Sequence, residues 1–146
     1  MPITTSLKND ILNGLVGRTS DFASSVYVGL SSTAPTASGT NVTEPTGNGY
    51  KRVLIGSYNQ SATYKFNAAS NGEVKNKDFI YFPESEGSWG ATLTHFVLFS
   101  DATGDTVLGY GLLESGGVAT PIKVEAEKTV VMFRPEKLVI SIPDEE

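Results

Sequence analysis

The sequence predicts a mainly β protein: an antiparallel β-sandwich, jelly-roll-like, preceded by one short N-terminal helix. Three observations predict it. From Val26 onward, short apolar runs are separated by clusters of Gly, Pro, Asn, Asp and Ser, the spacing of a sandwich or barrel. Helical periodicity is convincing only between Thr5 and Val16. The 146 residues, 39% hydrophobic and 18% charged, suit one packed domain and neither a disordered nor a membrane chain. An immunoglobulin-like sandwich is the second choice, and no fixed-period repeat argues for a solenoid.

The helix comes first. Leu7, Ile11, Leu12, Leu15 and Val16 fall on one face of a 3.6-residue period. Thr5 or Ser6 is placed to cap its start and Gly17 to end it in a left-handed conformation. Gly14 weakens the interior by roughly 1 kcal/mol relative to alanine. So short a helix is marginal in water, so it must dock on its own domain or on a neighbour. This divides the chain into an attachment segment, residues 1–20, and a β domain, residues 21–146.

The first strand is Val26–Leu30. A polar stretch rich in Ser, Thr, Pro, Gly and Asn follows over residues 31–49. It is longer than most connections in compact domains and reads as a partner-binding loop. Tyr50–Ile55 and Ala62–Phe66 are weaker strands, and Asn71-Gly72 is a hairpin signal because a type I′ turn needs positive φ at both positions. Glu73–Lys77 and Phe79–Phe82 continue the series, and Pro83 stops the latter. Thr92–Ser100 is apolar on both faces, as expected of a central, doubly covered strand. Asp101–Gly104 is a turn, with Thr106–Glu114 returning from it. Ile122–Ala126, Thr129–Arg134 and Leu138–Ile142 complete the set.

Composition removes several functions. There is no cysteine, hence no disulfide, thiolate metal site or cysteine nucleophile. No apolar run approaches a bilayer-spanning helix, and no secretory signal opens the sequence. A net charge of −5 gives no basic face for nucleic acid. The acidic end, Asp144-Glu145-Glu146, and the lysines Lys75 and Lys77 read as solvated surface, and the two sequons at Asn41 and Asn59 as chance.

Chemistry is equally sparse. The single histidine, His95, lies inside the strongest strand, and no Gly-x-Ser-x-Gly elbow surrounds a serine. Asp101-Ala102-Thr103-Gly104-Asp105 lacks the further ligands of a calcium loop and reads as a turn. Glu84 and Glu86 beside Trp89 superficially resemble a sugar-cleaving site. The simpler reading is a loop whose tryptophan folds back onto the core, with Tyr27, Tyr50, Phe82, Phe96, Phe99 and Tyr110 as further core aromatics. No cofactor is expected.

Three blocks of motifs carry a resemblance. The first joins Val26-Tyr27-Val28-Gly29-Leu30-Ser31, Ala34-Pro35-Thr36 and Glu44-Pro45-Thr46-Gly47-Asn48-Gly49-Tyr50-Lys51-Arg52-Val53. The second joins Phe82-Pro83, Gly87-Ser88-Trp89-Gly90 and Thr94-His95-Phe96-Val97-Leu98-Phe99. The third joins Asp101-Ala102-Thr103-Gly104 and Leu108-Gly109-Tyr110-Gly111. In this order they resemble small tailed-bacteriophage virion proteins, the tail fibre or minor structural proteins. The resemblance implies a non-enzymatic virion component, assembled in the host cytoplasm, homo-oligomeric and bound to other virion proteins in tail, neck, fibre or capsid surface. Partner contacts are expected at Leu7, Ile11, Leu12 and Leu15 on the helix and at Thr36 and Glu44 in the loop. A carbohydrate-binding module, with Trp89, Tyr50 and Tyr58 touching a host-surface glycan, is the alternative, and a hydrolase using Glu84 and Glu86 the third reading.

Overall fold

A computed structural model describes residues 1–18, 25–57 and 65–142. Helix α1 spans Thr5–Leu15. Its cap is Thr4, one residue earlier than expected. The Thr4 hydroxyl accepts the Leu7 N–H at 3.4 Å and donates to the Val107 carbonyl at 2.7 Å, so one buried side chain both starts the helix and ties it to the sheet. Gly17 does adopt the left-handed conformation, at φ +72°.

Four strands form the main antiparallel sheet: β1 (Ser25–Ser31), β2 (Val53–Ser57), β5 (His95–Phe99) and β6 (Val107–Leu112), in the order β2-β1-β5-β6. Ile3 bridges Gly109 and so lengthens the sheet past β6; a Cβ on Gly109 would meet the Pro2 carbonyl at 3.1 Å, which explains the glycine. The remaining strands pair as three two-stranded ribbons: β3 (Glu73–Lys75) with β10 (Val139–Ser141), β4 (Ile80–Tyr81) with β9 (Met132–Phe133), and β7 (Glu114–Ser115) with β8 (Val118–Ala119). The fold is therefore mainly β with one short helix. These ribbons are too short to define the expected jelly roll.

Most expected strands are present but trimmed. β2 begins at Val53, not Tyr50, because the Tyr50 N–H closes a turn on Gly47 and its side chain turns inward. Expected Ile122–Ala126 is not a strand: Ile122 bridges Leu93, while the Val124 carbonyl accepts the Trp89 N–H. Of Ala62–Phe66, only the last two residues are described, and Phe66 bridges Asn76. Asn71-Gly72 forms the expected hairpin turn with φ of 54° and 76°.

β5 is central, as its two-sided apolar pattern requires. Phe96 and Leu98 enter the main core with Val28, Leu30, Phe82, Trp89 and Leu138. Val97 and Phe99 point the other way, into a smaller cluster with Val107. Trp89 folds back as expected: it is buried, its ring N–H donates to the Asn48 carbonyl at 2.9 Å, and it meets Tyr50 edge-on. Among the described residues no helix is long and apolar enough to cross a membrane.

Candidate interaction surface

The second face of the sheet is covered by the long loop. Val42 packs on the Val97–Phe99–Val107 cluster, and Gly39 lies so close that an added Cβ would meet Val107 at 3.3 Å. One charged clamp fastens this strap. Arg52 donates from Nη2 to Glu44 Oε1 at 2.6 Å and from Nε to both carboxylate oxygens at 3.1 Å. Its Nη1 reaches the carbonyls of Asp101 (2.9 Å) and Gly104 (2.7 Å), fixing the β5–β6 turn. The guanidinium lies 3.4 Å from the Phe99 ring centroid, where the ring face is negative.

Tyr50 completes the clamp. Its hydroxyl donates to Glu44 Oε2 at 2.6 Å and accepts the Leu30 N–H at 2.9 Å. Burial, and then the Glu44 charge, push the Tyr50 phenol far above its ordinary range, so it stays a donor to the carboxylate. Gly29 provides the room: a Cβ there would meet the Tyr50 hydroxyl, Glu44 Oε2 and the Phe99 ring within 2.9 Å. The motifs at 26–31, 44–53, 94–99 and 101–104 thus converge on one buried polar network.

The six expected contact residues separate in space. Glu44 is turned inward, its side chain 18% exposed and engaged by Arg52 and Tyr50. Thr36 is exposed at the loop tip, its hydroxyl 2.7 Å from that of Thr40 and 3.0 Å from that of Ser38. On α1, Leu7 packs against the main core and Ile11 is half-buried. Leu12 and Leu15 face outward at 58% and 77% exposure, joined by Val16 at 68%. None of the helix's residues is buried.

Sequence reasoning missed two features. Phe79 and Tyr81 stack with parallel rings 5.6 Å apart, and Tyr81 pairs across the ribbon with Met132; these three, with Val130, form an exposed apolar strip. The alternation of Phe79 and Tyr81 against buried Ile80 and Phe82 was the available signal. Beside the strip, a groove of about 250 Å³ runs past Phe96, Leu112, Met132 and Val139, with Arg134 and Lys137 along it. Its walls come from distant segments, which no local pattern reveals.

His95 Nδ1 is 2.8 Å from the Thr94 hydroxyl, and burial lowers its pKa. Glu84 and Glu86 are exposed and line an open cleft of about 520 Å³ together with Asn48, Tyr50 and Lys51. Among the described residues no cluster of three His, Asp or Glu side chains could hold a metal ion. Of the three suggested glycan contacts, Trp89 is in the core and Tyr50 in the clamp, while Tyr58 lies outside the described residues.

No curated protein matches the chain. A family model described as "Podophage GP4 fiber I protein gp80" matches residues 2–128, from the N-terminal segment through the sheet, the clamp and the β7–β8 ribbon. The chain belongs to this podophage fibre protein family.

Proposed function

We propose that the protein is a structural, non-catalytic component of the phage fibre apparatus that attaches to other virion proteins through α1 and the tip of the long loop. The carrying observation is the helix. It buries none of its residues, yet it is anchored at one end by the buried Ile3 and Thr4 and offers Leu12, Leu15 and Val16 to solvent. A short amphipathic helix in water gains its stability from a surface that covers its apolar side. Leu12 and Leu15, with the half-buried Ile11, are the contact residues in this reading, Leu7 seating the helix on its own core; Thr36 lies beside the helix start, since the Thr5 N–H bonds the Ala37 carbonyl. Glu44 contributes indirectly, by holding the loop.

The four-stranded sheet and the ribbons facing it then serve as a sandwich-like scaffold, present in several copies on the particle after assembly in the host cytoplasm. Incorporation into particles tests the reading. Leu12→Asp with Leu15→Asp should leave the isolated chain folded and abolish its incorporation; normal incorporation of that variant would refute the helix as attachment site. These point changes are cleaner than deleting residues 1–17, which would also strip Ile3 and Thr4 from the sheet edge. A glycan reading has lost Trp89 as an accessible contact, while Tyr50 is half-buried and lines the cleft beside Glu84 and Glu86.

A further inference from the structure

The two ends of the main sheet differ in charge. At one end, β5 and β6 are joined by the turn Asp101–Asp105, whose two carboxylate residues are exposed. Arg52, itself matched by Glu44, holds this turn from beneath through the Asp101 and Gly104 carbonyls, so the turn is rigid before any contact is made. At the other end, where His95 pairs with Leu112, lies the groove with the exposed Arg134 and Lys137. Lys75 and Lys77 lie nearby, Lys75 already paired with Glu73 at 3.5 Å. Lys75 pairs across the ribbon with the groove residue Val139, and Asn76, between Lys75 and Lys77, donates to the Arg134 carbonyl. The groove lining itself thus carries two cations, Arg134 and Lys137, against one carboxylate, Glu114, in a chain whose net charge is −5. The length of β5, roughly 15 Å, separates the two ends, so the turn cannot reach the groove of its own chain.

We infer that the acidic turn Asp101–Asp105 of one copy docks in the groove between Arg134 and Lys137 of a second copy. Opposite charges choose the register and orientation, and the apolar floor of Phe96, Leu112 and Met132 supplies the buried area. Because the two surfaces differ, the contact is heterologous and propagates into a ring or a column. This goes beyond the attachment reading, since it uses neither α1 nor the loop tip.

The test is light scattering and sedimentation of the full chain at low salt. The wild type should form species larger than a dimer that shrink as salt is raised, because exposed pairs are screened beyond roughly 8 Å at physiological ionic strength. Arg134→Glu with Lys137→Glu, and separately Asp101→Lys with Asp105→Lys, should each weaken association roughly a hundredfold. Mixing the two variants should restore assembly, since every contact is again between opposite charges. Wild type that stays monomeric, charge-reversed variants that assemble alone, or a mixture that fails to assemble would each overturn the contact. Circular dichroism of each variant checks that it is folded. Normal incorporation of the Leu12→Asp, Leu15→Asp variant, with self-assembly intact, would unseat the helix reading alone; a wild type that incorporates but does not self-assemble would unseat this one alone.

Discussion

The Arg52 clamp and helix α1 invert the usual division between inside and outside. In the clamp, a guanidinium 7% exposed and a carboxylate 18% exposed lie beneath a loop of mostly small polar residues. On the helix, Leu15 stands 77% exposed. The difference shows where each region finds its partners. The clamp satisfies every group within the chain: Glu44 takes Arg52 and Tyr50, and Arg52 takes two carbonyls and a ring. The helix satisfies its start through Thr4 and packs Leu7 on the core, but leaves Leu12, Leu15 and Val16 uncovered. A long polar loop can therefore be rigid scaffold, while a short apolar helix is the exposed element.

Removing the clamp's cation should break the comparison most severely. Arg52→Ala leaves the half-buried Glu44 with only the Tyr50 hydroxyl and strips the β5–β6 turn of two bonds. Breaking one member of a buried pair costs about 3–5 kcal/mol. Urea denaturation of the isolated chain measures it through the midpoint at constant slope. A loss below about 1 kcal/mol would mean that backbone bonds such as Ser32 N–H to the Thr43 carbonyl hold the loop instead. Gly29→Ala comes next. Its methyl would intrude on the Tyr50 hydroxyl, Glu44 and Phe99, and overpacking of this kind costs about 1–3 kcal/mol. In an Arg52→Ala background the same change should cost measurably less, because Glu44 is then able to shift.

The two regions were unequally legible in the sequence. Alternation and turn chemistry placed β1, β5, β6 and the Asn71-Gly72 hairpin, because those signals are local and the strands are covered on the faces that the pattern implies. The helix was legible for the same reason. The clamp was not. Glu44 and Thr36 look alike as polar loop residues, and Glu44 is distinguished only by Arg52, eight positions on, folding back over Phe99. Tyr50 was expected in a strand, and its inward turn depends on the space left by Gly29. Strand lengths failed where a side chain, not a partner strand, satisfies the backbone. Ser85, for example, donates its hydroxyl to the Ala126 carbonyl and accepts the Thr129 N–H.

The junction between the regions should give an intermediate effect. Thr4→Ala removes the helix cap and the bond to Val107, which costs about 0.5–2 kcal/mol and loosens α1 from β6. Faster amide hydrogen exchange confined to α1 and the β6 edge would show the loosening. A smaller effect comes from His95. Burial holds its pKa below 6.5, so the unfolded chain binds the proton more readily than the folded one. Stability should therefore fall as pH drops through the unfolded value and level off below the depressed folded one. Because His95 is the single histidine, His95→Gln should flatten that part of the profile, with the steeper carboxylate-driven loss at lower pH unchanged.

The smallest expected effect is the most discriminating. Leu12→Ser with Leu15→Ser alters side chains that are already more than half exposed, so little buried area is lost on folding. What remains is helix propensity, a few tenths of a kcal/mol for each residue. The urea midpoint of the isolated chain should thus barely move, whereas any partner that covers this side of α1 loses two leucines from its contact, each worth about 1.5–3 kcal/mol when fully buried. A destabilisation of several kcal/mol in the isolated chain would mean that the helix is held by its own domain, and the contrast with the clamp would disappear. An unchanged midpoint together with lost incorporation would establish that α1 is stabilised from outside the chain, where the clamp is stabilised from within.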